Sequence, residues 1–254
     1  MFLERMTWQD VDLLDRSKTL AVCCVSATEQ HSLHLPTGTD QLIGSEIVRR
    51  IEHAMPSQLL CLPTVWFGSS GHHMDFAGTI SVSAATMRSV ICDIASSLHT
   101  HRFSKILFLN SHGGNRVLLS AAIQELGEAI PALDVIGATY WDVAREDLTK
   151  MRESPFGGMG HACELETSII LSLDSSLVKM DKAEPDGIMS RSEFGRHEML
   201  SGPKVVTYRS MKQITRHGGF GDPSTASAKK GEEMLNVIAS RLISLCKDIL
   251  AGLL

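Results

Sequence analysis

The chain has 254 residues, of which 43% are hydrophobic and 21% charged, a balance that gives a globular protein a sizeable core. Its formal net charge is −5 and its pI about 6.1, so it lacks the clustered positive charge of a nucleic-acid or membrane-surface binder. No segment approaches the ~20 apolar residues of a membrane span. The early acids of "MFLERMTWQDVDLLDRSK" do not read as a signal peptide. Six cysteines without a CxxC pair fit reduced thiols in a cytoplasmic protein.

Short apolar runs alternate with amphipathic stretches along the chain. "TLAVCCVSA" (19–27) reads as a buried strand, and residues 42–54 show helical spacing through Leu42, Ile43, Ile47, Val48 and Ile51. "QLLCLPTVWF" (58–67) is extended, with Pro63 limiting its regularity. Ser83 caps a helix to about His101, with Met87, Ile91, Ile94 and Leu98 on one face. "KILFLN" (105–110) is a second buried strand, followed by a helix from about Gly114 to Ala129. "LDVIGATYW" (133–141) is a third strand and "ELETSIILSLD" (164–174) a helix. Residues 181–223 form a long irregular excursion with a short strand at "KVVTY". The last helix runs from near Thr225 to about Leu250. This alternation predicts one α/β domain over residues 1–254, with a mostly parallel sheet covered by helices on both faces.

In open α/β sheets ligands bind beyond the carboxyl ends of the strands, and four polar clusters fall there. "TEQHSLHLPTGTD" (28–40) brings Glu29, His31, His34 and Asp40. Side chains two apart in extended chain point the same way, so Glu29 and His31 can converge. Pro36 and Gly38 let Asp40 return. Carboxylates with imidazole suit Zn²⁺, Mn²⁺ or Fe²⁺. "NSHGGN" (110–115) ends a strand in His112, and Gly113 and Gly114 let a ligand approach the main chain. In "HACELETS" (161–168), His161 and Glu164 share a face if the helix has begun. "SSGHHMDFAGT" (69–79) adds His72, His73 and Ser70, which looks substrate-contacting. Each cluster also has an ordinary reading as a loop or an acidic helix start. No nucleophile elbow and no phosphate loop occurs.

Together, "TEQHSLHLPTGTD", "GSSGHHMDFAGTIS", "LNSHGGN", "HACELETS" and "GDPSTASAKKGE" resemble the creatininase family of metal-dependent amidohydrolases, in its order and spacing from about residue 20 to 235. The resemblance implies a three-layer α/β/α fold, a homo-oligomer (commonly a hexamer) and two divalent ions per subunit, Zn²⁺ or Mn²⁺ with iron in some members. It implies that Glu29, Asp40 and His112 bind one ion, that His31 and a bridging Asp40 bind the other, that His161 is the catalytic acid or base, and that Ser70 contacts substrate. Members that open creatinine carry Tyr-Glu where this chain has Gly113–Gly114, and that Glu is a ligand. Glu164 and Glu166 are the candidates to complete the second metal position, with Glu164 favoured as the compensating ligand and Glu166 expected to orient water or His161. The expected substrate is a small-molecule amide, non-standard or cyclic, other than creatinine. A ring-ketone hydrolase of inositol breakdown, a peptidase of a modified peptide and a non-catalytic metal-binding relative are the alternatives.

Overall fold

The computed structural model describes residues 1–202 and 204–254. Its organising element is β1 (Leu20–Val25), whose six residues are all buried. A strand buried on both faces needs neighbours on both edges and helices above and below. β1 pairs in parallel with β2 (Leu59–Cys61) on one edge and β3 (Lys105–Asn110) on the other. β3 pairs in parallel with β4 (Asp134–Thr139), giving the order β2-β1-β3-β4.

The two-residue period of the strands sorts side chains between two cores. Leu20, Val22 and Cys24 face α1 (Thr39–Ala54), α4 (Glu164–Leu173) and α5 (Ala228–Ala251). Ala21, Cys23 and Val25 face α2 (Ala84–Thr100) and α3 (Arg116–Ala129). These are the helices placed by the apolar spacing, with Ser83 capping α2 through Thr86 N. Boundaries moved where backbone chemistry overrode pattern. Gly113–Asn115 form a 3₁₀ turn before α3, and Tyr140–Trp141 leave β4 to open the short helix Tyr140–Val143. The extended stretch 58–67 is regular strand only over Leu59–Cys61, and beyond Pro63 it touches β1 again through a single bridge, Val65 to Val25. Ser227 caps α5. No strand forms over residues 204–208, which are exposed and have no partner strand.

The chain crosses from β1 to β2 on one side and from β3 to β4 on the other. A crevice therefore opens between the carboxyl ends of β1 and β3, the position where such sheets bind ligands. On the opposite side of the first core, α4 and α5 meet closely: a Cβ on Gly231 would stand 1.9 Å from the Ser168 carbonyl oxygen. We expect Gly231→Ala to lower stability in urea titration by about 1–3 kcal/mol through overpacking. An unchanged midpoint would show that the two helices separate freely.

Candidate metal centre

β1 delivers Glu29 and His31, and β3 delivers His112, to the same crevice. The turn after β3 is built by its own asparagines. Asn110 Oδ1 accepts from His112 N at 3.1 Å, and Asn115 Nδ2 donates to Ser26 O at 3.0 Å, tying the two strand ends together. Asp40 is the second residue of α1. Gly44 lets that helix sit close, since a Cβ there would be 2.5 Å from Cys24 Sγ and 2.8 Å from Ser111 Oγ. Glu166 comes from the first turn of α4. Ser32 and Ala162, which follow His31 and His161, hold positive φ angles of 58° and 51°. That strain beside two site histidines is typical of positions fixed for function.

Three of the inward histidines each have one nitrogen on a main-chain carbonyl. His31 Nδ1 lies 3.1 Å from Glu29 O, His112 Nε2 3.2 Å from Ser69 O, and His161 Nε2 2.7 Å from Gln30 O. A carbonyl only accepts, so those nitrogens carry the hydrogen and the opposite ones present lone pairs when the rings are neutral. The lone pairs face carboxylates. His31 Nε2 is 3.2 Å from Asp40 Oδ1 and 3.9 Å from Glu166 Oε1. His112 Nδ1 is 3.1 Å from Asp40 Oδ2 and 3.4 Å from Glu29 Oε1. Of three close groups of acceptors, Glu29–Asp40–His112 and His31–Asp40–Glu166 share Asp40, and the third is Glu29–His31–His161; within each the ligand atoms lie within 4.8 Å of one another.

Residues 4–246 match the family profile for creatininase, described as creatinine amidohydrolase. The chain belongs to the creatininase family. It is a metal-dependent amidohydrolase of that type. It is 28% identical to the mycofactocin precursor peptide peptidase of Mycobacterium ulcerans (86% of this chain, 82% of that one). Identity to the creatinine amidohydrolase of Pseudomonas putida is 26% (93% and 92%). The 3-dehydro-scyllo-inosose hydrolase of Thermotoga maritima is 23% identical (98% and 84%). A Zn–Zn form of a creatininase variant superposes with a TM-score of 0.81 at 23% identity, covering 97% of each chain.

The donor set of this family member fits divalent ions. Glu29, Asp40 and Glu166 are buried, and among the described residues their ion-pair partners are all histidines. Glu29 Oε2 and Asp40 Oδ2 have no hydrogen-bond partner. Buried carboxylates facing imidazole lone pairs need a cation between them. Without one, protons fill the place. Burial opposes a charge on His31, but Asp40, then Glu166 and Glu29, outweigh it and push the group up to about 9. His112 is raised well above its ordinary value against the same burial, by Glu29 and Asp40. Burial, followed by the His31 charge, holds His161 down to about 3.

The structure places Glu164 outside the acceptor groups, contrary to the role favoured for it from the sequence. Glu164 opens α4, whose first residue points away from the third by about 200° of helical rotation. Its carboxylate accepts from Ser154 N at 2.8 Å, Glu153 N at 3.0 Å and Lys230 Nζ at 2.6 Å. Burial works against its ionisation, yet the bonds from Lys230 and Ser154 hold it at about 2. Glu166 occupies the metal-facing position instead, so its expected role of orienting water or His161 is replaced by that of a ligand candidate. His161 lies outside the helix, bridged to Phe220, so it does not share a face with Glu164.

Ser70 is enclosed, with its hydroxyl 3.3 Å from His112 Nε2, behind the ligand rather than on the cleft; expected substrate contact is corrected accordingly. Gly113 lines the cleft, whereas Gly114 is packed against Ser69 and does not. His34 serves structure, with Nε2 3.0 Å from Thr167 Oγ1. Sequence reasoning missed Gln30 and left His73 without a role. The 3₁₀ turn Gly71–His73 turns both histidines inward, which a strand would not have done. A buried Arg152–Glu198 pair, with Glu198 also accepting from Gly157 N at 2.7 Å, fastens the irregular excursion to the loop ahead of His161.

Glu166→Gln is expected to remove about half the bound metal in elemental analysis, the share held with His31. Glu164→Gln should keep both ions and lose about 1–3 kcal/mol of stability by weakening the bonds from Lys230, Ser154 N and Glu153 N, since Lys230 retains Glu153 at 2.8 Å. The reverse pattern would restore Glu164 as the ligand. Because the facing carboxylates raise His31 and His112, and burial raises Glu166 to about 7, loading should release protons. Metal affinity should therefore fall as pH drops below about 9. Calorimetry in buffers of different ionisation enthalpy measures the release, and a null value would overturn it.

Proposed function

We propose that this chain is a two-metal amidohydrolase of the family's Gly-Gly branch, in which Glu166 supplies the second-metal carboxylate. The two acceptor sets sharing Asp40 carry this reading. Gly114 supports it: a Cβ there would stand 2.2 Å from Ser69 O and 2.5 Å from His112 Nε2, so this turn has no room for an acidic side chain. The ligands are Glu29, Asp40 and His112 for one ion and His31, Asp40 and Glu166 for the other.

Divalent ions held there, zinc or manganese with iron as a further option, would supply hydroxide at neutral pH and a Lewis acid for the scissile carbonyl. Asp40 fixes the spacing of the two positions through its two oxygens. His161 faces the cleft, with Nδ1 3.6 Å from Glu29 Oε1, so Nδ1 can take a proton from the attacking water and return it to the leaving nitrogen. The bare Cα of Gly113 lets an amide lie along the main chain.

The substrate on this reading is an amide other than creatinine, since no aromatic ring projects from position 113. A second reading, a peptidase of a modified peptide, is favoured by the size of the cleft. It encloses about 1210 Å³, above the ~300–1,000 Å³ usual for small ligands. Its outer wall carries exposed Ile188, Phe194 and Val206 beside Arg191 and Arg209, a surface suited to a longer chain. A cytoplasmic homo-oligomer, hexameric by family resemblance, completes the proposal. Among the described residues no helix is long and apolar enough to cross a membrane.

A screen of lactams, hydantoins, N-formyl amines, ring ketones and short peptides, with and without Mn²⁺ or Zn²⁺, tests it. Hydrolysis that stops with chelator is expected. His161→Ala should keep both metals and lose about 10²–10⁴ in kcat. Metal-loaded protein inactive on every class would instead support a non-catalytic relative.

A further inference from the structure

Gln30 sits between the metal centre and the returning end of the excursion, and its hydrogen bonds fix more than its own position. Its Oε1 accepts from Ser32 N at 2.9 Å, and its Nε2 donates to Gly218 O at 2.9 Å. A main-chain N–H only donates and a carbonyl only accepts, so the amide has one orientation. Gly218 permits this closeness, because a Cβ there would stand 2.0 Å from Gln30 Oε1. The second amide hydrogen has one remaining partner, His73 Nδ1 at 2.7 Å. The nearby His161 Nε2, at 3.2 Å, cannot accept it, because that nitrogen already donates to the main-chain oxygen of Gln30.

His73 Nδ1 must therefore hold a lone pair, and its hydrogen stands on Nε2. That nitrogen lies 3.4 Å from Glu29 Oε1. His73 is buried, with its ring centroid 4.5 Å from that of His161. Glu29 is thus approached at Oε1 by an N–H, while its Oε2 has no partner. We propose that Gln30 is a positioning residue: through a Gln30–His73–Glu29 chain it fixes the Glu29 carboxylate at Oε1, the oxygen that faces His112 Nδ1, and through its main-chain oxygen it keeps His161 Nδ1 free on the cleft side. His73 serves as the link and takes no place among the ligands. This rests on Glu29 being a metal ligand, as the proposed function has it.

The arrangement is read directly by long-range ¹H–¹⁵N NMR of ¹⁵N-histidine-labelled protein, metal-free and zinc-loaded, with His73→Asn and His161→Asn assigning the signals. Wild type should show both rings protonated on Nε2. Gln30→Glu replaces the amide donor by an acceptor, so His73 should switch its hydrogen to Nδ1 while His161 is unchanged. His73→Asn retains an acceptor for Gln30 and deletes the far N–H, so zinc affinity should fall about 10–100-fold. If Gln30→Glu does not fold, the wild-type spectra and the His73→Asn titration still decide. A wild-type His73 protonated on Nδ1, or an unaltered zinc affinity in His73→Asn, overturns the proposal. Wild type that binds no zinc fails the underlying reading instead, and the tautomers remain measurable apart from it.

Discussion

The structure is organised around a charge that the protein does not supply. Glu29, Asp40 and Glu166 are buried beside histidines whose hydrogens are committed to main-chain carbonyls. Acceptors facing acceptors in a low-dielectric crevice are costly, by several kcal/mol for each unpaired buried ion. Parallel strands anchor Glu29, His31 and His112, and the close seat of α1 at Gly44 pins Asp40. A divalent cation turns this arrangement from a liability into a large source of binding free energy.

The pinned hydrogens explain why the site is selective for geometry as well as for charge. A ring held by one nitrogen has its other lone pair aimed in a fixed direction. Three rings are held in this way, and two of them aim their lone pairs at the shared Asp40. Gln30 and His73 extend the same logic outward, from ligand to support.

Much of this was legible in the sequence because it depends on periodicity and strand ends. The all-buried run at 20–25, the alternation of strands and helices, and the placement of Glu29, His31, Asp40 and His112 follow from local pattern. Other features depend on three-dimensional direction. Glu164 and Glu166 differ by two positions, and only the true start of α4 decides which one turns inward. Lys230, which claims Glu164, lies 66 residues away. His73 was visible in "GHHM" but had no role there, because only the 3₁₀ turn Gly71–His73 brings its ring inward. Gln30 is an unremarkable amide until Gly218, far along the chain, comes against it.

The Arg152–Glu198 clamp has a consequence for how such enzymes diversify. The segment that walls the cleft between about residues 188 and 214 contributes no member of either acceptor set. It is fastened at Glu198 and re-enters the centre only near Gly218 and Phe220. Between those fixings its residues can be exchanged without touching the ions. The protein thus keeps its acceptor groups and the outer wall of its cleft on separate segments, so the wall can change shape while the chemistry stays where it is.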